Sequence, residues 1–222
     1  MAPAGPIVDP VDWLCRRLRS FGRHTRTAAG TEGAAVDWLI VGLGNPGGRY
    51  AGTRHNIGRD AVEALAAQAG VPLDQLKHQA RFGLGRLGAA RVCLVLPMTY
   101  MNLSGQAVAP IARFYQVPPA RVLAVYDDMD LPLGRQRLRA EGGHGGHNGM
   151  RSLIERLGTD AFPRLRLGVG RPPAGWDAAD HVLARFSPDE AAAAAALIDD
   201  AVATMKDIVD RGVAAAMNQA NA

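Results

Sequence analysis

Apolar positions along the chain repeat with two different periods, and the two periods alternate. Short apolar or alternating runs predict strands at residues 38–43, 82–87, 92–96, 122–126, 135–139 and 165–169. Apolar residues three or four positions apart predict helices at residues 56–70, 104–115, 148–157 and 188–212. Strands separated by helices are typical of an α/β fold. Because two pairs of strands follow each other closely, we predict a single layered domain with a mixed, twisted sheet flanked by helices on both faces.

Polar residues at the helix boundaries support this interpretation. Ser187, Pro188 and Glu190 form a capping box with proline at the first helical position, which predicts the start of the long C-terminal helix. Ser104 and Asn148 are expected to cap the two helices that begin near them.

Residues 1–36 precede the first predicted strand and do not continue the alternation of strands and helices. Residues 11–18 have the spacing of a short, basic amphipathic helix, and residues 27–35 have the composition of a linker. We therefore divide the chain into an N-terminal extension at residues 1–36, expected to be flexible, and a catalytic domain at residues 37–222. Additional contact with RNA through the arginines of the extension is the alternative to a flexible tail.

Length, composition and charge limit the possible size of the core, the cellular location and the type of partner. With 222 residues, 48% of them apolar, the chain is long enough to bury a substantial core in one domain. No apolar run is long enough to span a bilayer, and the N-terminus lacks the order of a secretory signal. The two cysteines, Cys15 and Cys93, form no disulfide framework, so a cytoplasmic location is expected. The net charge of +4 permits a nucleic-acid partner without requiring one.

The stretch WLIVGLGNPGGRYAGTRHNIG, at residues 38–58, carries the most informative pattern. Gly42, Gly44 and Gly47 satisfy the glycine spacing of dinucleotide-binding loops, in which a helix starts inside the motif and faces the pyrophosphate. Here a proline and further glycines postpone the helix to about Asn56. A nicotinamide or flavin site is therefore disfavoured, and the loop is expected to place polar side chains at the carboxyl end of the sheet.

Polar side chains also follow three further predicted strands. We expect these side chains to converge on one cleft with those that follow the first strand, because they lie at the ends of neighbouring strands. The expected set consists of Asn45, His55, Asn102, Asp127 and Asn148.

The residue types in this set indicate hydrolysis of an acyl ester by activated water. A histidine beside a buried carboxylate can act as a general base, with Asp127 fixing the tautomer of His55. Asparagine amides can hold a carbonyl or donate to an oxyanion without changing the charge of the histidine. No nucleophile is suitably placed, because Ser104 lacks the glycines of a nucleophile elbow and both cysteines lie away from the polar loops. We therefore expect no covalent intermediate.

Metal binding is an alternative interpretation of some of these residues. Asp127, Asp128 and Asp130 are the kind of carboxylate cluster that binds Mg²⁺ or Ca²⁺. His144 and His147 could bind a transition metal, although their glycine-rich loop offers neither a rigid scaffold nor further cysteine ligands. We predict no metal site.

Arginines alternate along one predicted strand. Arg135, Arg137 and Arg139 therefore face the same side, with Arg151 and Arg166 expected nearby. This set forms either an ordinary solvated surface or a track for RNA phosphates.

Four segments, in this order, carry a family pattern: IVGLGNPGGRYAGTRHNIG, LPMTYMNLSGQAV, YDDMDLPLGRQRLRAEGGHGGHNGMRSLIERLGT and FPRLRLGVGRP. They resemble the bacterial-type peptidyl-tRNA hydrolases, from about Trp38 nearly to the end of the chain. The resemblance implies hydrolysis of the ester between a peptide and the 3′-terminal ribose of tRNA, which recycles tRNA from aborted translation. It also implies an enzyme without a metal or organic cofactor, which acts as a cytoplasmic monomer.

The resemblance also implies roles for individual residues. His55 matches the base of the family, Asp127 matches the aspartate that supports the base, and Asn45 matches the asparagine that helps to distinguish peptidyl from free aminoacyl substrates. The residues that match positions lining the substrate site are Tyr50, Tyr100, Asn102 and Asn148. The arginines implied in contacts with tRNA phosphates are Arg137, Arg139 and Arg166.

The chain departs from the family pattern in two places. Tyr100 stands where phenylalanine is frequent, and the stretch before the first strand is longer than usual. An RNA-binding protein that has kept the fold but lost catalysis is the main alternative function. The presence of His55, Asp127 and Asn45 disfavours that alternative.

Overall fold

A computed structural model describes residues 35–222 of the chain. Its strands are β1 (Trp38–Gly42), β2 (Gln75–Lys77), β3 (Ala80–Leu87), β4 (Ala90–Pro97), β5 (Val122–Asp128), β6 (Gln136–Arg139) and β7 (Arg164–Gly168). Its helices are α1 (Ile57–Ala69), α2 (Ser104–Phe114), α3 (Asn148–Leu157), α4 (Ala178–Leu183), α5 (Pro188–Arg211) and α6 (Val213–Ala220). The proposed extension, with its helix at residues 11–18, lies outside the described residues except for its last two positions.

The strands form one mixed sheet in the order β2-β3-β4-β1-β5-β7-β6. The central strand β1 pairs in parallel with β4 on one side and with β5 on the other, and β5 pairs in parallel with β7. The pairs β2–β3, β3–β4 and β6–β7 are antiparallel. The predicted mixed sheet is confirmed. The parallel strands β4, β1, β5 and β7 end at the same edge of the sheet, which is where sites of open α/β folds lie.

Helices cover both faces of the sheet, and each face has its own hydrophobic core. Ile40 of β1 packs in one core with residues of α1, α5 and α6, whereas Leu39 and Val41 pack in the other with residues of α2 and α3. All residues of β1 are buried, as expected for a strand covered on both faces. The predicted layered architecture is confirmed.

Every strand and helix that was predicted within residues 35–222 is present, with ends shifted by at most two residues. Among the strands and α-helices of this range, β2, α4 and α6 were not predicted. β2 has only three residues, all exposed, so its sequence has no apolar period, and α6 follows α5 directly after Gly212.

The helix starts differ from the expected caps in two cases. Ser104 and Asn148 are the first helical residues, and Leu103 and His147 occupy the cap positions. The Ser104 hydroxyl donates instead to the carbonyl of Met101 at 2.8 Å. The predictions for these two caps were therefore wrong.

The capping box at the start of α5 is confirmed. The Glu190 carboxylate accepts a hydrogen bond from the Ser187 amide at 2.8 Å, which satisfies a donor that the helix itself leaves unpaired. Within residues 35–222, no helix combines the length and the apolar character needed to cross a bilayer.

Candidate active site

Loops at the carboxyl ends of the parallel strands enclose a cavity of about 820 Å³. One wall of the cavity is formed by α4 and the residue before it. The polar side chains predicted to converge all line this cavity: Asn45, His55, Asn102, Asp127 and Asn148.

Two of the three motif glycines, Gly42 at the end of β1 and Gly44 after it, allow close packing. A Cβ atom at Gly42 would lie 2.7 Å from the carbonyl oxygen of Gly58, and one at Gly44 would lie 2.8 Å from the Cβ of Arg59. Both glycines therefore allow α1 to approach the strand closely. Because α1 begins only at Ile57, its N-terminus lies outside the glycine motif, as the sequence indicated.

His55 and Asp127 form the central pair of the cavity. Asp127 lies near the end of the buried strand β5, and His55 lies in the single turn that precedes α1. The Nδ1 atom of His55 lies 2.8 Å from the Oδ1 atom of Asp127. A carboxylate accepts the Nδ1 proton, so Nε2 is left unprotonated and able to take a proton.

A second histidine, His147, contacts the same carboxylate oxygen. Its Nε2 atom lies 3.0 Å from Asp127 Oδ1, and its Nδ1 atom accepts the backbone N–H of Met150 at 3.2 Å. The backbone donor requires Nδ1 to be unprotonated, so the proton of His147 is on Nε2 and is donated to Asp127. Both ring nitrogens of His147 therefore have hydrogen-bond partners, whereas among the described residues only Nδ1 of His55 has one.

The Asp127 carboxyl is held in its ionised form. Burial raises its pKa, but the adjacent His55 and His147, with their hydrogen bonds, lower the pKa by more. The net pKa lies well below the usual range for an aspartate. Asp127 therefore carries a negative charge at neutral pH and can stabilise an imidazolium on His55.

The side chain of Asn45 is oriented through a hydrogen bond to its oxygen atom. Its Oδ1 atom accepts the backbone N–H of Met101 at 2.8 Å. Asn56, which sequence reasoning did not select, holds the backbone of Asn45 by accepting its N–H at 2.8 Å and donating to its carbonyl at 3.0 Å. The amide NH₂ of Asn45 remains available on the cavity side.

The other residues implied in substrate binding lie at the rim. Tyr100, Asn102 and Asn148 line the cavity and are exposed. Tyr50 is not among the lining residues, but its ring packs edge-on against Tyr100, with ring centroids 6.4 Å apart.

The arginines divide into two groups. Arg166 lines the cavity and pairs with Asp128 through its Nε atom. Arg137 and Arg139 are exposed on β6, outside the cavity, and Arg137 is the strand partner of Arg166.

Arg164, which sequence reasoning missed, holds the glycine-rich loop beside the cavity. Its side chain is almost fully buried. Its guanidinium donates to the carbonyls of Gly142 and Gly143 and to those of Asp160 and Phe162. The sequence did not distinguish Arg164 from Arg166, because the two arginines alternate with buried leucines along β7.

The three neighbouring aspartates have different partners. Asp127 binds the two histidines, Asp128 pairs with Arg166, and Asp130 pairs with Arg171 at 2.7 Å. Within residues 35–222, no cluster of potential metal ligands contains two of these carboxylates.

His144 and His147 do not share a site either, since Nδ1 of His144 accepts the N–H of Gly146 at 3.0 Å. The potential ligand atoms of His55, Asp127 and His147 do lie within 4.8 Å of one another. These are the atoms that already share protons in hydrogen bonds, and a cation would have to replace both protons. The arrangement favours proton transfer over metal binding.

Comparison with known proteins shows the family of the chain that forms this cavity. A family model described as peptidyl-tRNA hydrolase matches residues 39–222. The chain belongs to the peptidyl-tRNA hydrolase family. The match runs from the second residue of β1 to the end of the chain and includes every residue that lines the cavity.

Individual relatives agree in sequence and in fold. The peptidyl-tRNA hydrolase of Symbiobacterium thermophilum is 52% identical over 185 residues, which cover 82% of this chain and 98% of the relative. The chloroplastic peptidyl-tRNA hydrolase of Arabidopsis thaliana is 54% identical over 156 residues, which cover 70% of this chain and 54% of the relative. The crystal structure of peptidyl-tRNA hydrolase from Acinetobacter baumannii has a TM-score of 0.80 and 42% identity, covering 86% of this chain and 98% of that one.

Proposed function

We propose that this peptidyl-tRNA hydrolase cleaves its substrate with water activated by His55. The reaction follows from the family: the ester bond between peptide and tRNA is hydrolysed. The observation that carries the mechanism is the difference between the two imidazoles on Asp127. His55 retains a ring nitrogen without a partner among the described residues, and His147 does not.

The proposed reaction has two steps. In the first, Nε2 of His55 takes a proton from water as the water oxygen attacks the ester carbonyl carbon, and Asp127 stabilises the imidazolium. Asn102 and Asn148 line the same cavity, and their amides supply donors for the oxyanion in this proposal. In the second step, the C–O bond to the ribose breaks, and the imidazolium returns its proton to the leaving oxygen.

Asn45 provides selectivity for a peptide. Its free NH₂ group can donate to a backbone carbonyl of the peptide beyond the ester. A free aminoacyl group has an ammonium there and no carbonyl, so the amide of Asn45 would lose its acceptor. Recognition through backbone groups also allows peptides of any sequence to bind.

The tRNA is held mainly through its phosphates. Arg137 and Arg139 project from β6, and Arg166 lies at the cavity next to them. Contacts of this kind give affinity with little base reading. Because one chain supplies the whole cavity, we further propose that the enzyme acts as a monomer, in the cytoplasm where tRNA is recycled, without a metal or organic cofactor.

The test is release of ester from an N-blocked aminoacyl-tRNA by the wild-type protein and by His55→Ala. We expect kcat to fall by about 10²–10⁴-fold, because the general base is lost, while binding of deacylated tRNA is unchanged. His78→Asn lies at the exposed turn between β2 and β3 and is not among the residues that line the cavity, so it is the control and should match the wild type. Turnover of His55→Ala within tenfold of the wild type would remove His55 as the base. A wild type that binds tRNA without releasing ester would instead favour the non-catalytic RNA-binding alternative.

A further inference from the structure

Arg54, the residue before the proposed base, is buried and has no role in the mechanism above. Its side chain is 8% exposed, and its Nη2 atom lies 2.8 Å and 2.6 Å from the two carboxylate oxygens of Glu190. Glu190 is in the first turn of α5, 136 positions along the chain. The ion pair therefore joins the turn that carries His55 to the start of the longest helix.

The same arginine also binds the segment between α4 and α5. Its Nη1 atom donates to the carbonyl of Arg185 at 2.6 Å, and its backbone N–H donates to the carbonyl of Ala184 at 3.0 Å. Thr53 and Arg185 form an isolated antiparallel bridge beside these contacts. The guanidinium lies over the ring of Phe186, 5.1 Å from its centroid. Arg54 thus fixes the position at which the chain leaves α4.

These contacts define the geometry between the base and one wall of the cavity. The wall is α4 with the residue before it, and its lining residues are Asp177, Ala178, Ala179, Val182 and Leu183. Because His55 directly follows Arg54, a shift of the α4 segment relative to Arg54 is a shift of the wall relative to the base.

Glu190 is held in place independently of Arg54. One of its carboxylate oxygens accepts the Ser187 amide at 2.8 Å in the capping box. The position of the carboxylate on α5 is therefore fixed by the capping box. Arg54 connects this carboxylate to the turn that carries His55 and to the segment between α4 and α5.

We propose that Arg54 and Glu190 form a positioning pair for peptidyl-tRNA hydrolysis, which keeps the α4 wall in register with His55. This inference rests on the proposed function of the cavity. A buried ion pair contributes little net stability compared with its cost of desolvation, but it selects one relative arrangement of the segments it joins. Misplacement of the bound ester by about 1 Å is sufficient to reduce a rate strongly.

Two conservative variants separate this role from simple stabilisation. Glu190→Gln keeps the size of the side chain and the capping box, since glutamine also serves at this helix position. Arg54→Lys keeps the positive charge, but a single ammonium cannot replace the fork that reaches both Glu190 and the Arg185 carbonyl. Asp207→Asn is the matched control, because it removes the exposed Asp207–Arg211 pair from the same helix.

We expect both variants to lower kcat for ester release, per folded protein, by about tenfold or more, with the Kd for deacylated tRNA close to that of the wild type. The melting temperature should fall in Glu190→Gln, because the buried Arg54 charge loses its partner, so kcat is measured at a temperature at which every variant is folded. The double variant should be no slower than the slower single variant, because the two residues act as one unit. The Asp207→Asn control should keep the kcat of the wild type.

Three results would overturn the inference: kcat within twofold of the wild type, an effect confined to the Kd for tRNA, or a loss of activity that only parallels a loss of folded protein. Glu190→Gln decides the outcome if Arg54→Lys does not fold. An inactive wild type would contradict the proposed function instead, so the two failures are distinguishable.

Discussion

The two histidines on Asp127 have the same partner but different freedom. His147 is the N-cap of α3, and its Nδ1 atom satisfies the N–H of Met150. A proton on that nitrogen would break the cap hydrogen bond and leave a backbone donor in the first turn unpaired. Nε2 of His55 makes no hydrogen bond with the described residues. Because His147 caps its helix, the proton taken from water is expected to go to Nε2 of His55.

This difference gives a prediction for His147→Asn. Asparagine is a preferred N-cap residue, so the variant keeps the start of α3 but loses the second donor to Asp127. We expect kcat for ester release to fall by about tenfold, clearly less than for His55→Ala, since loss of a general base costs about 10²–10⁴-fold. The two kcat values are measured on the same N-blocked aminoacyl-tRNA. Equal losses in the two variants would contradict the assignment of His55 as the sole base.

Only part of this arrangement could be predicted at the level of single residues. His55 and Asp127 could be predicted, because His55 comes after β1 and Asp127 lies near the end of β5. The carboxyl ends of these two strands meet at one edge of the sheet. The role of His147 could not be predicted, because it depends on α3 beginning one residue earlier than the predicted cap at Asn148 implied. Asn56 was missed for a similar reason: its partner is the backbone of Asn45, which carries no sequence signal.

At the level of elements, the edge strand β6 is held by hydrogen bonds from the residue that follows the C-terminal helix α6. The side chain of Asn221 accepts the N–H of Leu138 at 2.8 Å and donates to the carbonyl of Leu138 at 3.0 Å. This pair of hydrogen bonds covers the outer edge of β6 in the way a further strand would. Because Leu138 is buried, the alternating Arg137 and Arg139 face outward together.

The exposed pair on β6 leads to a prediction about salt. In Arg137→Ala combined with Arg139→Ala, we expect weaker binding of deacylated tRNA and a higher KM. The slope of log K against log salt concentration should become shallower by about one for each phosphate that the variant no longer neutralises. Binding is measured over a salt series, with Arg113→Ala on α2 as the control for removal of an exposed charge. An unchanged slope would identify this arginine pair as an ordinary solvated surface.

The unpredicted elements show what limits sequence analysis at this scale. β2 is exposed throughout and exists through its pairing with β3, and its turn uses left-handed backbone at His78 and Gln79, which are not glycines. The long helix α5 was predictable because its capping box and its apolar stripe are local. An element that forms mainly through contacts with a neighbouring element has only a weak pattern of apolar residues in its own sequence.

For the whole molecule, the cavity is an assembly of chain segments that only the fold brings together. Residues from the loops after β1, β4, β5 and β6 meet α4 there, and the Arg54–Glu190 ion pair joins residues 136 positions apart. The α/β class followed from the alternation of periods, and the neighbouring strand ends followed from that class. No period in the sequence relates Arg54 to Glu190, so this contact could not be predicted.

Asp127 also links the cavity to the stability of the whole molecule. Its pKa is lower in the folded protein than in the unfolded chain, so the unfolded state binds the proton more tightly. The stabilisation from this carboxylate is therefore fully present above about pH 4, the region of an unperturbed aspartate, and is lost as the pH falls through the pKa of the folded state. Asparagine at this position cannot ionise and cannot contribute this stabilisation at any pH.

We therefore expect the free energy of unfolding of Asp127→Asn to lie furthest below that of the wild type near neutral pH. The difference should shrink as the pH falls below about 4, because Asp127 then takes up its proton in the unfolded chain while it stays ionised in the folded protein, which favours the unfolded state. Denaturant unfolding of both proteins between neutral and acidic pH measures the difference. Asp130→Asn is the control, since its exposed pair with Arg171 should contribute little at any pH. A difference that stays constant over this range would mean that the charge of Asp127 does not stabilise the fold, and that the carboxylate is maintained for catalysis alone.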